Sequence, residues 1–104
     1  NFEFFGAPVG LFFVVDGELE RQSWLDLGMF MQNVMLLARC EGLSTCPQGA
    51  WLHYSDIVHT SLGLGDQEVL ASGMALGFAD KKAPENHLIT DRVPVEEFAT
   101  FSGF

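Results

Sequence analysis

The side chains able to do chemistry in this chain are few, and most are poorly spaced for it. Cys40 and Cys46 stand six positions apart, not at the Cys-x-x-Cys spacing of redox and zinc sites. They read as two small buried hydrophobes. His53, His59 and His87 make no His-Glu-x-x-His pattern, so they read as surface histidines and no metal site is expected. Gly63-Leu64-Gly65 follows a helical stretch and lacks a third glycine, so the dinucleotide fingerprint fails and a helix stop remains. Glu96 and Glu97 are sequence neighbours, which diverge on a helix, and a solvated face accounts for them. Two places resist dismissal. Gln32-Asn33 sets two amides in an apolar helical stretch, where each must find a partner or cost free energy, and structural satisfaction is the preferred reading. Thr45-Cys46-Pro47-Gln48-Gly49-Ala50-Trp51 exposes backbone N–H groups with no bulky side chain in the way. Close approach of a planar ligand and a simple turn fit it equally.

These residues need elements to position them. Residues 8–15 (Pro-Val-Gly-Leu-Phe-Phe-Val-Val) lack polar alternation and suit a strand covered on both faces. Asp16-Gly17-Glu18 ends it as a turn. Ser23 with Asp26 offers a capping box for a helix over residues 24–40. That helix is apolar nearly all round, with polar residues confined to the ridges Asp26/Asn33 and Gln32/Arg39. Such a helix is buried on most sides, and in so short a chain the expected cover is a second subunit. Met29, Met31 and Met35 on it read as core filling. Gly42 stops it. Residues 44–51 read as loop, Ser55-Asp56 caps a short helix running to Leu62 and stopped by Gly63, and residues 69–79 read as a second buried strand. The glycines of that strand point to a backbone or ligand lying close. Residues 80–92 are polar loop, and Pro94 opens a last helical turn. The order is strand, long buried helix, short helix, strand and tail.

Composition narrows the function classes. The 104 residues carry 48% apolar and 18% charged positions, with ten Phe and two Trp. One small domain is expected, and intrinsic disorder is excluded by the hydrophobicity. Two cysteines are too few for a disulfide scaffold. Five basic against fourteen acidic residues, for a net charge of -9, argue against nucleic acid and anionic membrane as partners. No targeting or membrane-spanning run is present, and the absent initiator Met reads as trimming, processing or an excerpt. A soluble protein of a reducing, cytoplasmic compartment is expected.

Taken together, several blocks resemble the nitroreductase family, in family order and spacing. They are residues 23–33 (Ser-Trp-Leu-Asp-Leu-Gly-Met-Phe-Met-Gln-Asn), 42–50 (Gly-Leu-Ser-Thr-Cys-Pro-Gln-Gly-Ala), 73–80 (Gly-Met-Ala-Leu-Gly-Phe-Ala-Asp), 84–86 (Pro-Glu-Asn) and 90–98 (Thr-Asp-Arg-Val-Pro-Val-Glu-Glu-Phe). The resemblance implies an α+β sandwich built as an intertwined homodimer, with FMN at the subunit interface. It also implies reduction of nitroaromatics, quinones or related small aromatic acceptors by NAD(P)H, the flavin carrying the chemistry. Carried over by motif, Pro47, Gln48, Gly49 and Ala50 lie along the isoalloxazine, with an N–H of Gly49 or Ala50 facing the reactive ring nitrogen. Arg92 contacts the FMN phosphate. Thr90 stands where many relatives have a basic residue. Because family members are about twice this long, residues 1–104 are expected to be the C-terminal half of such a domain, without the N-terminal half and its Arg-Arg-Ser-type phosphate motif. The alternative is a truncated, non-catalytic dimerisation module that has lost flavin binding. A small apolar-ligand carrier, resting on Phe and Met content alone, ranks third.

Overall fold

A computed structural model of the chain describes residues 2–103. A 3-10 turn (Phe4–Gly6) leads into strand β1 (Val9–Asp16), helix α1 (Arg21–Cys40) and strand β2 (Ser44–Gln48). A second 3-10 turn (Gly49–Tyr54), helix α2 (Ser55–Leu62) and strand β3 (Glu68–Gly77) follow. The tail carries a 3-10 turn (Pro84–His87) and one last helical turn, α3 (Val95–Phe98). The α+β order expected from the sequence holds, with one strand added.

That strand is the main correction. Residues 44–48 are not loop: β2 pairs antiparallel with β3, which also pairs antiparallel with β1, giving the order β1-β3-β2. β2 shows no apolar alternation and contains Pro47, both of which obscure it in sequence. The proline is tolerated because β2 lies at the sheet edge, where a residue without an N–H need not break a ladder. β3 takes the centre because its apolar and small residues suit burial on both faces. Phe13 pairs with Ser72 but Val14 with Leu70, so Ala71 is an extra residue in β3 and forms a bulge.

The core is small: Phe13, Val15, Val58, Leu70, Met74 and Ala75, of which only Met74 has no exposure among the described residues. Both faces of β1 are covered, as its composition implies. Phe13 meets Phe30 of α1 on one side, and Phe12 meets the rings of Phe4 and Trp51 on the other.

Helix α1 begins at Arg21, ahead of the expected Ser23 cap, and no side chain caps it. Ser23 instead belongs to the sheet-facing stripe. That stripe is Ser23, Leu27, Met31, Val34, Met35 and Ala38, all partly covered. The opposite side is open: Leu25, Met29 and Leu36 are 68%, 59% and 55% exposed. All-round burial is therefore not reached within one chain. Gln32 and Asn33 are exposed as well, so neither amide has to find a buried partner. Both helix stops are as expected. Gly42 and Gly63 sit at positive φ, and the bonds Leu43 N–H to Ala38 O and Leu64 N–H to His59 O close Schellman turns.

Beyond β3 the chain leaves the sheet. Ile89, Phe98 and Phe101 are 91%, 70% and 66% exposed. The radius of gyration is 16.8 Å, against about 13 Å for a compact domain of this length.

Met74→Ala is expected to lower unfolding free energy by about 3 kcal/mol, since it opens a cavity in the fully buried core. Gly63→Ala, forced into the left-handed region, should cost about 1 kcal/mol. Urea denaturation of both variants checks the ranking.

Candidate functional site

Residues 47–50 mark the place where β2 ends and turns into the following 3-10 segment. Gln48 is the last residue in register, opposite Gly73. Its side chain is buried, while Pro47 and Gly49 are exposed and Ala50 is partly covered. A Cβ built on Gly49 would meet nothing within 4 Å. The N–H groups of Gly49 and Ala50 open a 3-10 turn, where no intrahelical acceptor exists for them. The result is an open rim of backbone donors at a sheet edge, free of bulky side chains, against which a flat group can lie.

Trp51, the last residue of the loop singled out in the sequence, follows directly on this rim. Trp51 folds back over β3 so closely that a Cβ on Gly73 would collide with its Cδ1. Phe4 stacks on the indole (centroids 5.0 Å apart, planes at 28°), and Phe2 and Phe12 meet it edge-on at 5.1 Å each. Such ring pairs contribute about 0.5–1.5 kcal/mol each beyond their buried area. The indole Nε1 is shut off from solvent with no hydrogen-bond partner among the described residues, a cost of about 1–3 kcal/mol that the packing must offset. Phe4 and Phe5 adopt φ of 50° and 56°, a left-handed conformation rare outside glycine, and Phe4 thereby reaches the indole. The one signal of this in the sequence is the glycine content of β3. It correctly marks a close approach, but the approaching groups are side chains of this same chain: Trp51 over Gly73 and Pro8 over Gly77.

Arg92 lies on the exposed tail, and its guanidinium donates to the Thr90 carbonyl, the Thr90 hydroxyl and the Asp91 carbonyl. The structure therefore gathers Pro47, Gln48, Gly49 and Ala50 into one rim and leaves Arg92 engaged on a separate segment. Two shallow grooves are also present. One, of about 320 Å³, runs between α1 and the start of β2 past Gln32, Met35, Arg39 and Thr45. The other, of about 300 Å³, lies between α2 and β3 and carries Asp56, Asp66 and Glu68. Neither includes residues 47–50 or Arg92.

The remaining candidates resolve simply. Cys40 and Cys46 are free thiols and both are exposed, not buried as expected, because one ends α1 and the other lies on the edge strand. His53 and His87 are exposed, whereas His59 is partly covered. The His59 and His87 rings bond the carbonyls of Gly65 and Lys81, each at 2.8 Å. Among the described residues no three His, Cys, Asp or Glu side chains are placed to hold a metal ion. Among them, too, no helix is long and apolar enough to cross a membrane.

A twisted antiparallel sheet with a long helix on one face and an aromatic box on the other defines an α+β sandwich. The sequence model of the nitroreductase family matches residues 1–78, and the chain belongs to that family. It is 46% identical over its whole length to a 4-nitrobenzoate reductase of Pseudomonas putida, covering 46% of that protein. It is also 46% identical over 101 residues to a chloronitrobenzene nitroreductase of Comamonas testosteroni, covering 97% of this chain and 44% of that one. Among solved structures, the FMN and NADPH-dependent nitroreductase NfnB from Sphigopyxis sp. strain HMH superposes with a TM-score of 0.95 at 43% identity, over 99% of this chain and 46% of that one. The FMN-dependent NfnB of Mycobacterium smegmatis, solved with NADPH, gives 0.90 at 30% identity over 96% and 45%. The chain thus spans about half the length of the curated relatives it matches.

Phe4→Ala is expected to weaken the near-ultraviolet circular dichroism of the packed indole and to cost about 1–2 kcal/mol, through loss of the stacked pair. Phe5→Ala, at an exposed ring, should stay within about 0.5 kcal/mol. Thermal melts with the same spectra distinguish the two.

Proposed function

We propose that this chain forms the C-terminal half of an FMN-dependent oxidoreductase that reduces small nitroaromatic compounds, with quinones as further acceptors, using NAD(P)H. The observation that carries the reading is the rim at residues 47–50. It is open, lined by backbone donors and anchored to the central strand, in a chain 46% identical to a 4-nitrobenzoate reductase and 43% identical to an FMN and NADPH-dependent nitroreductase across nearly all its length.

When bound, FMN supplies two-electron transfer between NAD(P)H and the acceptor. The chain's own residues bind and orient it. Pro47 and the bare Gly49 backbone offer a flat surface to the ring system. The N–H groups of Gly49 and Ala50 are the donors available to a ring atom that gains electron density, where fixed dipoles act most strongly. Arg92 is the cation for the phosphate end: its bonds to Thr90 and Asp91 all leave Nη1, so Nη2 and Nε are the nitrogens that suit a bidentate phosphate contact. Thr90, carrying no charge, leaves that end short of cations in a chain of net charge -9. The rest of the phosphate clamp is expected from the other half of the domain.

A homodimer belongs to the same proposal. Leu25, Met29 and Leu36 form an apolar stripe on the open side of α1, and a tail rich in exposed Ile, Val and Phe extends from the sheet. Exposed apolar stretches of this kind mark interfaces, and a second copy of the chain is the occupant that both features suit. Two exposed free thiols accord with a reducing, cytoplasmic setting.

Purified chain mixed with FMN is expected to quench flavin fluorescence and to retain a yellow chromophore through gel filtration. Protein that stays colourless and does not quench would leave the non-catalytic dimerisation module as the better reading. Arg92→Gln should weaken FMN binding about tenfold through loss of a charge-assisted contact, while its exposed position keeps stability within about 0.5 kcal/mol. For the interface, sedimentation should show a dimer at micromolar concentration, and Leu25→Glu with Met29→Glu should yield a folded monomer.

A further inference from the structure

We propose that Trp51 is the positioning residue of the 47–50 rim, seated in a notch that only glycine at position 73 leaves open. The inference rests on the reading of this rim as flavin-facing and adds to it the device that fixes its geometry.

Gly73 lies in the middle of β3, paired with Phe12 on one side and Gln48 on the other. The chain is thus tied to Gly73 twice within four residues. Gln48 is tied through the strand ladder. Trp51 is tied through its ring, whose Cδ1, Nε1 and Cγ occupy the space a Cβ on Gly73 would need. Gly49 and Ala50 lie between these two anchors. A glycine with nothing near it has wide backbone freedom, so Gly49 by itself cannot hold an N–H in one direction. The anchors on either side can. The indole is in turn boxed by Phe2, Phe4 and Phe12. Its N–H meets no hydrogen-bond partner among the described residues, so the ring is held by packing and by the notch rather than by a bond of its own. Phe4 reaches it from a left-handed turn, which extends the lock back to the start of the chain. Trp51 therefore acts on a bound ligand through the two backbone donors that precede it.

The test uses the full chain and two readouts. In ligand-free protein, Trp51→Leu is expected to lower the backbone amide order parameters of Gly49 and Ala50 from about 0.85 to below about 0.6 while the β1–β3 ladder keeps its values. With FMN added, the same variant should change the visible circular dichroism of the bound flavin and weaken binding about tenfold. Gly73→Ala, which unseats the ring, should reproduce both effects. Gly73→Ala combined with Trp51→Leu should be no worse than Trp51→Leu alone, because the overlap is gone. Wild-type order parameters at Gly49 and Ala50 in Trp51→Leu, with only the melting temperature lowered, would reduce Trp51 to core packing and overturn the proposal. If Trp51→Leu does not fold, the comparison passes to Gly73→Ala and Trp51→Phe, where unchanged rim order parameters in both would overturn it equally. If the wild-type chain takes up no FMN, the flavin reading fails, yet backbone order parameters in the ligand-free protein still decide the positioning role.

Discussion

Pairing of β3 with both β1 and β2 is the constraint on which the rest of this chain depends. A central strand must be apolar or small on both faces, and β3 meets that with Leu70, Gly73, Met74, Ala75 and Gly77, all buried. The pairing brings residues near 10, 45 and 75 into one row, although they are far apart in sequence. In one such row Leu11, Met74 and Pro47 lie side by side; in the next stand Phe12, Gly73 and Gln48. The first carries the most deeply buried side chain of the described residues, the second the notch for Trp51. Stability and site geometry therefore share one strand and adjacent positions along it.

The two faces of the sheet are finished differently. The aromatic box of Phe2, Phe4, Phe12 and Trp51 closes one face with residues close to the strands they cover. α1 covers the other with a single stripe of partly covered side chains and turns Leu25, Met29 and Leu36 outward. Six buried apolar residues among those described are a small core for a domain of this length, because burial scales with how much chain is available to surround each side chain. The exposed apolar stripe on α1 and the exposed tail are the surfaces on which the proposed dimer rests.

Elements whose signals are local are legible in the sequence. β1 and β3 follow from their apolar runs and the helix stops from Gly42 and Gly63, whereas the expected Ser55-Asp56 cap of α2 is not made: Ser55 is already helical and no side chain caps the start. α1 is visible over most of its length, but not its start, since Ser23 faces the sheet and does not cap the helix. β2 is invisible: its residues Ser-Thr-Cys-Pro-Gln have no strand pattern of their own and acquire one only from β3. The cysteines mislead for a related reason. Composition describes how often a residue type is buried, whereas an edge strand and a helix end set the exposure of these two.

The sequence by itself determined the class of chain, the run of residues that forms the rim and, through collinear blocks, the nitroreductase family. Those are properties of residue type and order along the chain. Only the tertiary structure decided what holds the rim, because Trp51 and Gly73 are twenty-two positions apart and meet through a strand pairing that neither residue encodes. It likewise decided that the apolar helix is half uncovered in one chain, since hydrophobicity says what a side chain favours and not whether enough protein is present to bury it.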